Sequence, residues 1–121
     1  MSRFVILEHD HPVLHWDLLL DVPALEGLWT WRLLEHPATS GTIRAERLPD
    51  HRRRYLDYEG PISGNRGSVT RWDAGDYVLL SDESDGGLLL EFRGDKRRGV
   101  ARLSPADPGQ SEPMWTLEFQ L

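Results

Sequence analysis

The chain contains no cysteine, and this absence excludes several kinds of chemistry at once. Without thiols there is no disulfide, no Cys-ligated zinc, no iron–sulfur cluster and no thiol nucleophile. No apolar run approaches the ~20 residues that a membrane helix requires, and the first residues lack the pattern of a signal peptide. We therefore expect a cytoplasmic protein with no membrane contact, in which any metal site is built from His and Asp.

Positive charge is also scarce, because 14 Lys and Arg residues stand against 20 Asp and Glu residues, a net charge of −6. This balance excludes a globally basic protein that coats nucleic acid, although it leaves room for a local basic patch. The length of 121 residues predicts one domain spanning residues 1–121. Hydrophobic residues make up 39% of the chain, which is enough for a modest core and too many for a disordered tail.

Glycine and proline are frequent, at 11 and 8 residues, and they divide the chain into short apolar segments rich in β-forming residues. These segments predict strands near residues 4–7, 14–20, 28–34, 68–72, 77–80, 88–92, 100–103 and 115–121. We predict an all-β fold, a small antiparallel β-barrel of about eight strands, because closure removes exposed strand edges.

The connecting segments carry their own predictions. Residues 73–76 predict a hairpin turn, residues 82–87 a polar hairpin tip, and residues 104–113 an excursion before the last strand. The one helical turn that the pattern indicates lies near residues 45–55.

The first candidate site lies in residues 9–21. Successive side chains of a strand point to opposite faces, so one face is apolar, with Leu14, Trp16, Leu18 and Leu20. His15 and Asp17 share the other face with Leu19 and Asp21, and His9 can fold back across the intervening turn beside His15. Two imidazoles and a carboxylate suit Mn, Fe, Zn or Co and leave open coordination positions. The same spacing also fits surface histidines that flank a turn.

The second candidate site lies in residues 49–60, within a basic stretch. Five arginines outnumber two acidic residues between positions 44 and 54. His51 and Tyr55 share a face whether this segment is helical or extended. An imidazole and a phenol beside arginines can bind a phosphate and supply a proton to a leaving group. A solvated arginine face is the alternative interpretation.

Together, these residues resemble the 3′-phosphoesterase domain of bacterial DNA ligase D, which also occurs as a free-standing protein. The family's opening motif is matched by His9-Asp10, Leu14-His15 and Asp17. Its second motif, Asp-His-x-x-x-Tyr-x-Asp-aromatic-Glu-Gly, is matched position by position from Asp50 to Gly60. Residues 67–75 (Gly-Ser-Val-Thr-Arg-Trp-Asp-Ala-Gly) and the Gly94…Lys96…Gly99 hairpin resemble two further family segments.

The resemblance implies a β-barrel that holds a divalent metal, most often Mn²⁺, with Zn²⁺ or Co²⁺ as alternatives. It implies that His9, His15 and Asp17 are the metal ligands and that His51 and Tyr55 engage the scissile phosphate. The implied activity is that of an Mn-dependent 3′-phosphodiesterase and phosphomonoesterase, which removes a 3′-terminal ribonucleoside and then the 3′-phosphate. The implied partners are DNA 3′ ends or primer–template termini and a polymerase–ligase or other end-joining protein. The expected location is the cytoplasm, where the protein would at most associate with the nucleoid.

One departure from the family bears directly on catalysis. The family carries a phosphate-contacting Arg two residues after the metal-binding Asp, and this chain has Leu19 there. Arg32 and Arg44 lie nearby in sequence but out of register with the family's basic residues. If residues 50–55 are extended, Arg53 shares a face with His51 and Tyr55, and we predict it as a phosphate-binding replacement.

Two other functions remain open. A barrel that keeps the metal and the groove but has lost turnover would be a module that binds DNA ends or a partner protein, and Leu19 supports this alternative. The spacing of His15, Asp17 and His51 also resembles the facial triad of an Fe(II) oxygenase.

Overall fold

The protein folds into a closed antiparallel β-barrel in a computed structural model that describes residues 2–106 and 114–120. The first strands are β1 (Ser2–His9), β2 (His15–Leu20), β3 (Gly27–Leu33) and β4 (Thr42–Arg52). A 3₁₀ helix, Arg53–Leu56, and a two-residue strand, β5 (Gly60–Pro61), follow. The chain then continues with the strands β6 (Ser68–Asp82), β7 (Leu88–Gly94), β8 (Arg98–Pro105) and β9 (Met114–Phe119).

Eight strands close the barrel in the order β1-β2-β3-β4-β9-β8-β7-β6, with β6 returning to β1 and β5 pairing beside β6. Every pairing is antiparallel. The predicted barrel of about eight strands is thus confirmed. The described residues contain no helix of seven residues or more.

Two local predictions were wrong. Residues 73–76 do not form a hairpin turn, because β6 runs unbroken through them and pairs with β1 on one side and β7 on the other. The pairing of β6 with β1 shifts in register opposite Ile6 and Leu7, and such a bulge bends a strand. The Asp and Gly residues of this segment therefore accompany a bend within β6 and not a turn. The helical turn near residues 45–55 is strand β4 as far as Arg52, and only the short 3₁₀ helix follows.

The other connections are mostly as expected. Residues 82–87 join β6 to β7 as a hairpin tip. The excursion of residues 104–113 begins within the end of β8, and its residues 107–113 lie outside the described part of the chain. Leu14 precedes β2 and is 56% exposed, so it does not belong to the apolar stripe that continues through Trp16, Leu18 and Leu20.

The apolar side chains form two clusters on opposite sides of the barrel wall. The larger cluster fills the interior with residues such as Phe4, Leu18, Trp31 and Phe92. The smaller one lies on the outer face of β1, β2, β3 and the start of β6, and Leu56 of the 3₁₀ helix covers it. We call it the outer cluster, and its members are Val5, Leu7, Leu19, Leu28, Leu56 and Val69. Because both faces of β1 and β2 are covered, a polar residue there is removed from water.

Membrane-spanning helices are not found in residues 2–106 and 114–120, where no helix combines the necessary length with the necessary apolar character.

Candidate functional site

His9, His15 and Asp17 come together where β1 and β2 meet at one end of the barrel. His9 ends β1 and pairs directly with His15, the first residue of β2. Asp17 follows two residues later and therefore shares the outer face of β2 with His15. One ligand atom from each of the three residues lies within 4.8 Å of the other two. The structure thus brings together the three residues that the sequence predicted as metal ligands.

The two imidazoles are held by backbone carbonyls in a way that frees one nitrogen of each. The Nε2–H of His9 donates to the Arg66 carbonyl at 2.8 Å, and the Nδ1–H of His15 donates to the Val13 carbonyl at 2.8 Å. A carbonyl accepts only, so Nδ1 of His9 and Nε2 of His15 keep their lone pairs. Metal-binding histidines commonly show this arrangement, because the carbonyl orients the ring and selects the tautomer.

His15 and Asp17 are buried, with 6% and 4% of their surfaces exposed, yet their ligand atoms are poorly satisfied. Nε2 of His15 and Oδ1 of Asp17 have no hydrogen-bond partner among the described residues. Asp17 Oδ2 lies 3.5 Å from His15 Nε2, and Arg32 Nε forms a long ion pair with Asp17 Oδ1 at 3.9 Å. The Asp17 carboxylate raises the pKa of His15 above its ordinary value, against the opposing effect of burial. Buried polar atoms without partners are costly, and a bound cation would satisfy both.

The donor set fits a divalent transition metal. Two neutral imidazole nitrogens and one carboxylate oxygen suit Mn, Fe, Zn or Co, and three protein ligands leave positions for water or substrate. His51 is not a member of this group of ligand atoms, so the structure does not assemble the His15, Asp17 and His51 triad that an Fe(II) oxygenase would need.

A cavity of about 630 Å³ lies beside this group on the outer face of the barrel. His9 and Asp17 line it together with His51, Tyr55 and Tyr58. The rings of His51 and Tyr55 lie 6.1 Å apart. The Nδ1–H of His51 donates to the Pro49 carbonyl at 3.2 Å, which leaves Nε2 for a ligand. Both sequence-predicted candidate sites therefore border one groove.

Arginines supply the positive charge of this groove, and several were not among the predicted site residues. Arg52, Arg54 and Arg66 line the cavity. The Arg54 guanidinium lies 4.5 Å from the centre of the Tyr58 ring. Arg32 pairs directly with Asp17 in the β2–β3 register; counting strand register between Asp17 and the next strand would have identified it.

Arg53 is placed differently from these arginines. It begins the 3₁₀ helix instead of extending β4, and its Nη2 forms an ion pair with Asp21 Oδ1 at 2.6 Å. Its Nη1 also reaches the Leu25 carbonyl at 3.4 Å. Arg53 does not line the cavity that contains His51 and Tyr55. In this conformation it ties the helix to the end of β2.

Leu19, which stands where the resemblance predicts an arginine, is fully buried in the outer cluster. Leu56 of the 3₁₀ helix belongs to the same cluster, and Tyr55 and Tyr58 pack against it. The leucine thus supports the segment that carries Tyr55.

The remaining residues of the second motif hold the groove wall in place. Asp57 pairs with Arg3 of β1 at 2.6 Å, which lowers the pKa of Asp57. The Tyr58 hydroxyl donates to the Pro61 carbonyl, and Glu59 accepts from the backbone N–H of Arg71 at 3.0 Å. Gly60 has a φ of +135°, a conformation that other residues rarely adopt. Asp57, Glu59 and Gly60 are therefore architectural, whereas His51, Tyr55 and Tyr58 line the groove.

A family profile matches most of the chain. The sequence profile of the DNA Ligase D 3′-phosphoesterase domain matches residues 7–104, a span that includes both motifs and every strand from β2 to β7 in full. No curated protein matches the chain.

Proposed function

The chain belongs to the DNA ligase D 3′-phosphoesterase domain family, and on that premise we propose that it is a metal-dependent 3′-phosphoesterase that trims DNA 3′ ends. The proposed reactions remove a 3′-terminal ribonucleoside and then the 3′-phosphate, leaving a 3′-hydroxyl for ligation. One observation supports this proposal above the others. The buried ligand atoms of His15 and Asp17 lack partners among the described residues, beside a groove that also contains His51 and Tyr55.

His9, His15 and Asp17 would hold the metal, for which we propose Mn²⁺, with Zn²⁺ or Co²⁺ as alternatives. A divalent ion held there would neutralise phosphate oxygens and lower the pKa of a bound water. The carbonyls of Arg66 and Val13 keep both imidazoles oriented before any ion arrives. This preorganisation lowers the cost of assembling the site.

His51 and Tyr55 act on the phosphate in this proposal. The Nδ1–H of His51 donates to the Pro49 carbonyl, so Nε2 is the nitrogen left for the phosphate, and in the imidazolium form it would give its proton to the leaving oxygen. The Tyr55 hydroxyl donates a hydrogen bond to a phosphate oxygen. For the missing arginine at position 19, we propose Arg54, because it lines the cavity and its guanidinium lies over the ring of Tyr58, another lining residue. Arg53 could bind phosphate only after leaving Asp21, 2.6 Å away.

The test is cleavage of a labelled primer with a 3′-phosphate, and of one with a 3′-terminal ribonucleoside, by purified protein in Mn²⁺. We expect turnover by the wild type and a loss of at least ~100-fold in His15→Ala. Arg54→Ala is expected to lower kcat/KM by about 10- to 100-fold. Arg53→Ala serves as the matched control, since it removes the same charge one residue away. A larger loss in Arg53→Ala at unchanged stability would assign the phosphate contact to Arg53 instead.

A binding module is the second candidate, and the burial of Leu19 in the outer cluster favours it. A leucine cannot neutralise a phosphoryl oxygen, and loss of a guanidinium from such a site removes several kcal/mol of transition-state stabilisation. Absence of turnover together with retained binding of DNA 3′ ends would support this module. A polymerase–ligase or another end-joining protein in the cytoplasm would then be its partner.

A further inference from the structure

A second concave site lies at the barrel end that also carries His9 and His15. The β7–β8 hairpin, the β3–β4 connection and the end of β9 meet there, because all three lie at the same end of the antiparallel strands. They enclose a cavity of about 250 Å³, which we call the basic cavity. Its lining consists of Ser40, Gly41, Lys96, Arg97, Arg98, Phe119 and Gln120.

Every titratable side chain in the described lining of the basic cavity is cationic. The Arg97 guanidinium lies 3.6 Å from the centre of the Phe119 ring, and its Nε is buried with no hydrogen-bond partner among the described residues. Burial lowers the pKa of Arg97, opposed by the charge of Asp73. Asp73 itself already accepts four backbone N–H groups. Three cations lining one cavity, with no carboxylate among its described lining residues, are the arrangement that binds a phosphate.

A row of aromatic rings runs from the basic cavity to β2, the strand that carries His15 and Asp17. Lys96 Nζ lies 4.6 Å from the centre of the Trp72 ring, Trp72 lies 5.6 Å from His36, and His36 lies 4.8 Å from Trp16. Trp16 stands between His15 and Asp17 in β2 and points to the opposite face of that strand. The row therefore runs across this barrel end as far as β2, on the face opposite to the side chains of His15 and Asp17.

We propose that the basic cavity binds a backbone phosphate of the DNA strand whose 3′ end lies in the groove. The inference rests on the proposed function for the groove and adds a second contact on the same substrate. Aromatic rings beside cations are the arrangement by which proteins hold single-stranded nucleic acid, which favours a DNA phosphate over free phosphate as the occupant. Two separated contacts on one strand would also explain how an acidic protein retains a polyanion.

The test compares two DNA probes by fluorescence anisotropy in EDTA: a linear oligonucleotide with a 3′-phosphate and a circular one without ends. The variant is Lys96→Ala combined with Arg98→Ala, and Arg97 is kept because it packs on Phe119. We expect roughly tenfold weaker binding of both probes at low salt. The slope of log affinity against log salt concentration should become shallower by about 0.7 for each phosphate that the variant no longer neutralises.

A matched pair of single variants separates a local contact from net charge. Arg98 and Arg102 lie on the same strand, β8, and each replacement by Ala removes one positive charge. Arg102 is paired with Glu83 at 2.6 Å and lies outside the basic cavity. Arg98→Ala should weaken binding about threefold, with Arg102→Ala remaining within about twofold of the wild type. Equal effects of the two variants, or no effect of the double variant, would overturn the proposal.

Two further arms identify the occupant and separate this proposal from the function of the groove. If inorganic phosphate shifts the amide resonances of residues 94–98 while the double variant binds DNA normally, the cavity is a free-phosphate site and the proposal is wrong. His15→Ala should still bind the circular probe. Circular-probe binding that depends on Lys96 and Arg98 in a protein without turnover would refute the proposed activity and leave this inference standing.

Discussion

Asp17 and Asp73 are both buried carboxylates, with 4% and 3% of their surfaces exposed, yet their surroundings differ. Asp73 accepts from the backbone N–H groups of Ala74, Asp95, Lys96 and Arg97 at 2.8–3.1 Å. Asp17 has an oxygen without any hydrogen-bond partner among the described residues. Both belong to motifs that resemble those of the family. Hydrogen-bond satisfaction, not burial, therefore separates the carboxylate that builds the fold from the one that is left open to a ligand.

The glycines near Asp73 allow the backbone to pack closely around it. A Cβ on Gly94 would lie 2.5 Å from Asp73 Oδ2, and one on Gly75 would lie 2.2 Å from the Arg93 carbonyl. The segments around residues 73–75 and 94–99, which both resemble family segments, therefore pack directly against each other although they are distant in sequence. Asp73 fixes the β7–β8 hairpin, and this hairpin carries the cations of the basic cavity.

The largest expected effect comes from removing the satisfied carboxylate. Asp73→Ala leaves four backbone N–H groups without their acceptor, and we expect the free energy of unfolding to fall by about 3–5 kcal/mol. Asp85→Ala is the control, since Asp85 accepts one backbone N–H, from Gly87, and should cost about 1 kcal/mol. Chemical denaturation measures both. Equal destabilisation of the two variants would contradict the structural role assigned to Asp73.

The next effect concerns the unsatisfied carboxylate and appears only when metal is added. Asp17→Asn should change the metal-free stability by less than about 1 kcal/mol, because the amide has nearly the same shape as the carboxylate that it replaces. Mn²⁺ at 100 times its Kd should stabilise the wild type by about 2.7 kcal/mol, and this gain should vanish in Asp17→Asn and on addition of EDTA. Thermal unfolding with and without Mn²⁺ provides the measurement. A variant that keeps the full Mn²⁺ response would show that Asp17 is not a ligand.

A smaller effect is expected from restoring the family's residue at position 19. Leu19 is fully buried among apolar side chains, so Leu19→Arg should lower the free energy of unfolding by about 2 kcal/mol. Leu19→Met, which keeps volume and polarity, should cost less than about 1.5 kcal/mol. Denaturation together with the primer assay gives the result. If Leu19→Arg is fully stable, the outer cluster can admit the charge and the packing argument fails.

The smallest effect lies in the pH dependence of an exposed carboxylate of the second motif. Arg3 lowers the pKa of Asp57 below its ordinary value of 3.8, so the ionised form is favoured by folding. This contribution is present above pH 3.8 and is lost as the pH falls through the lower folded-state pKa. Asp57→Asn should therefore be slightly less stable than the wild type near neutral pH, and the difference should disappear at acidic pH. Denaturation across this pH range gives the comparison, and a difference that persists below the folded-state pKa would point to packing instead of charge.

Much of the fold could be predicted from residue alternation and turn residues, and the errors have a common cause. Strand β6 passes through Asp73 and Gly75 without turning because Gly75 must lie against the Arg93 carbonyl and Asp73 must reach the neighbouring hairpin. Those requirements come from strands far away in sequence. Local propensity in Asp-Ala-Gly-Asp reflects only the tendency to turn.

Local sequence also failed to predict which arginine side chains line the groove. Position 53 is adjacent to His51 and Tyr55 in sequence, yet its guanidinium pairs with Asp21, and the neighbouring Arg54 lines the cavity. The prediction for Arg53 required an extended segment, and the turn into the 3₁₀ helix at that residue redirects its side chain. Arg32 is out of register with the family's basic residues in sequence, although strand pairing places it opposite Asp17.

The sequence alone determined the kind of chemistry available, because any metal held by a chain without cysteine, at its cluster of His and Asp residues, would be bound through nitrogen and oxygen. It also determined the alternation that places His15 and Asp17 on one face, since this period is a property of the strand backbone. Only the tertiary structure decided which carboxylate is satisfied, which arginine faces the groove and what surrounds Leu19. Those outcomes depend on hydrogen bonds and packing between strands that are paired in space and distant along the chain.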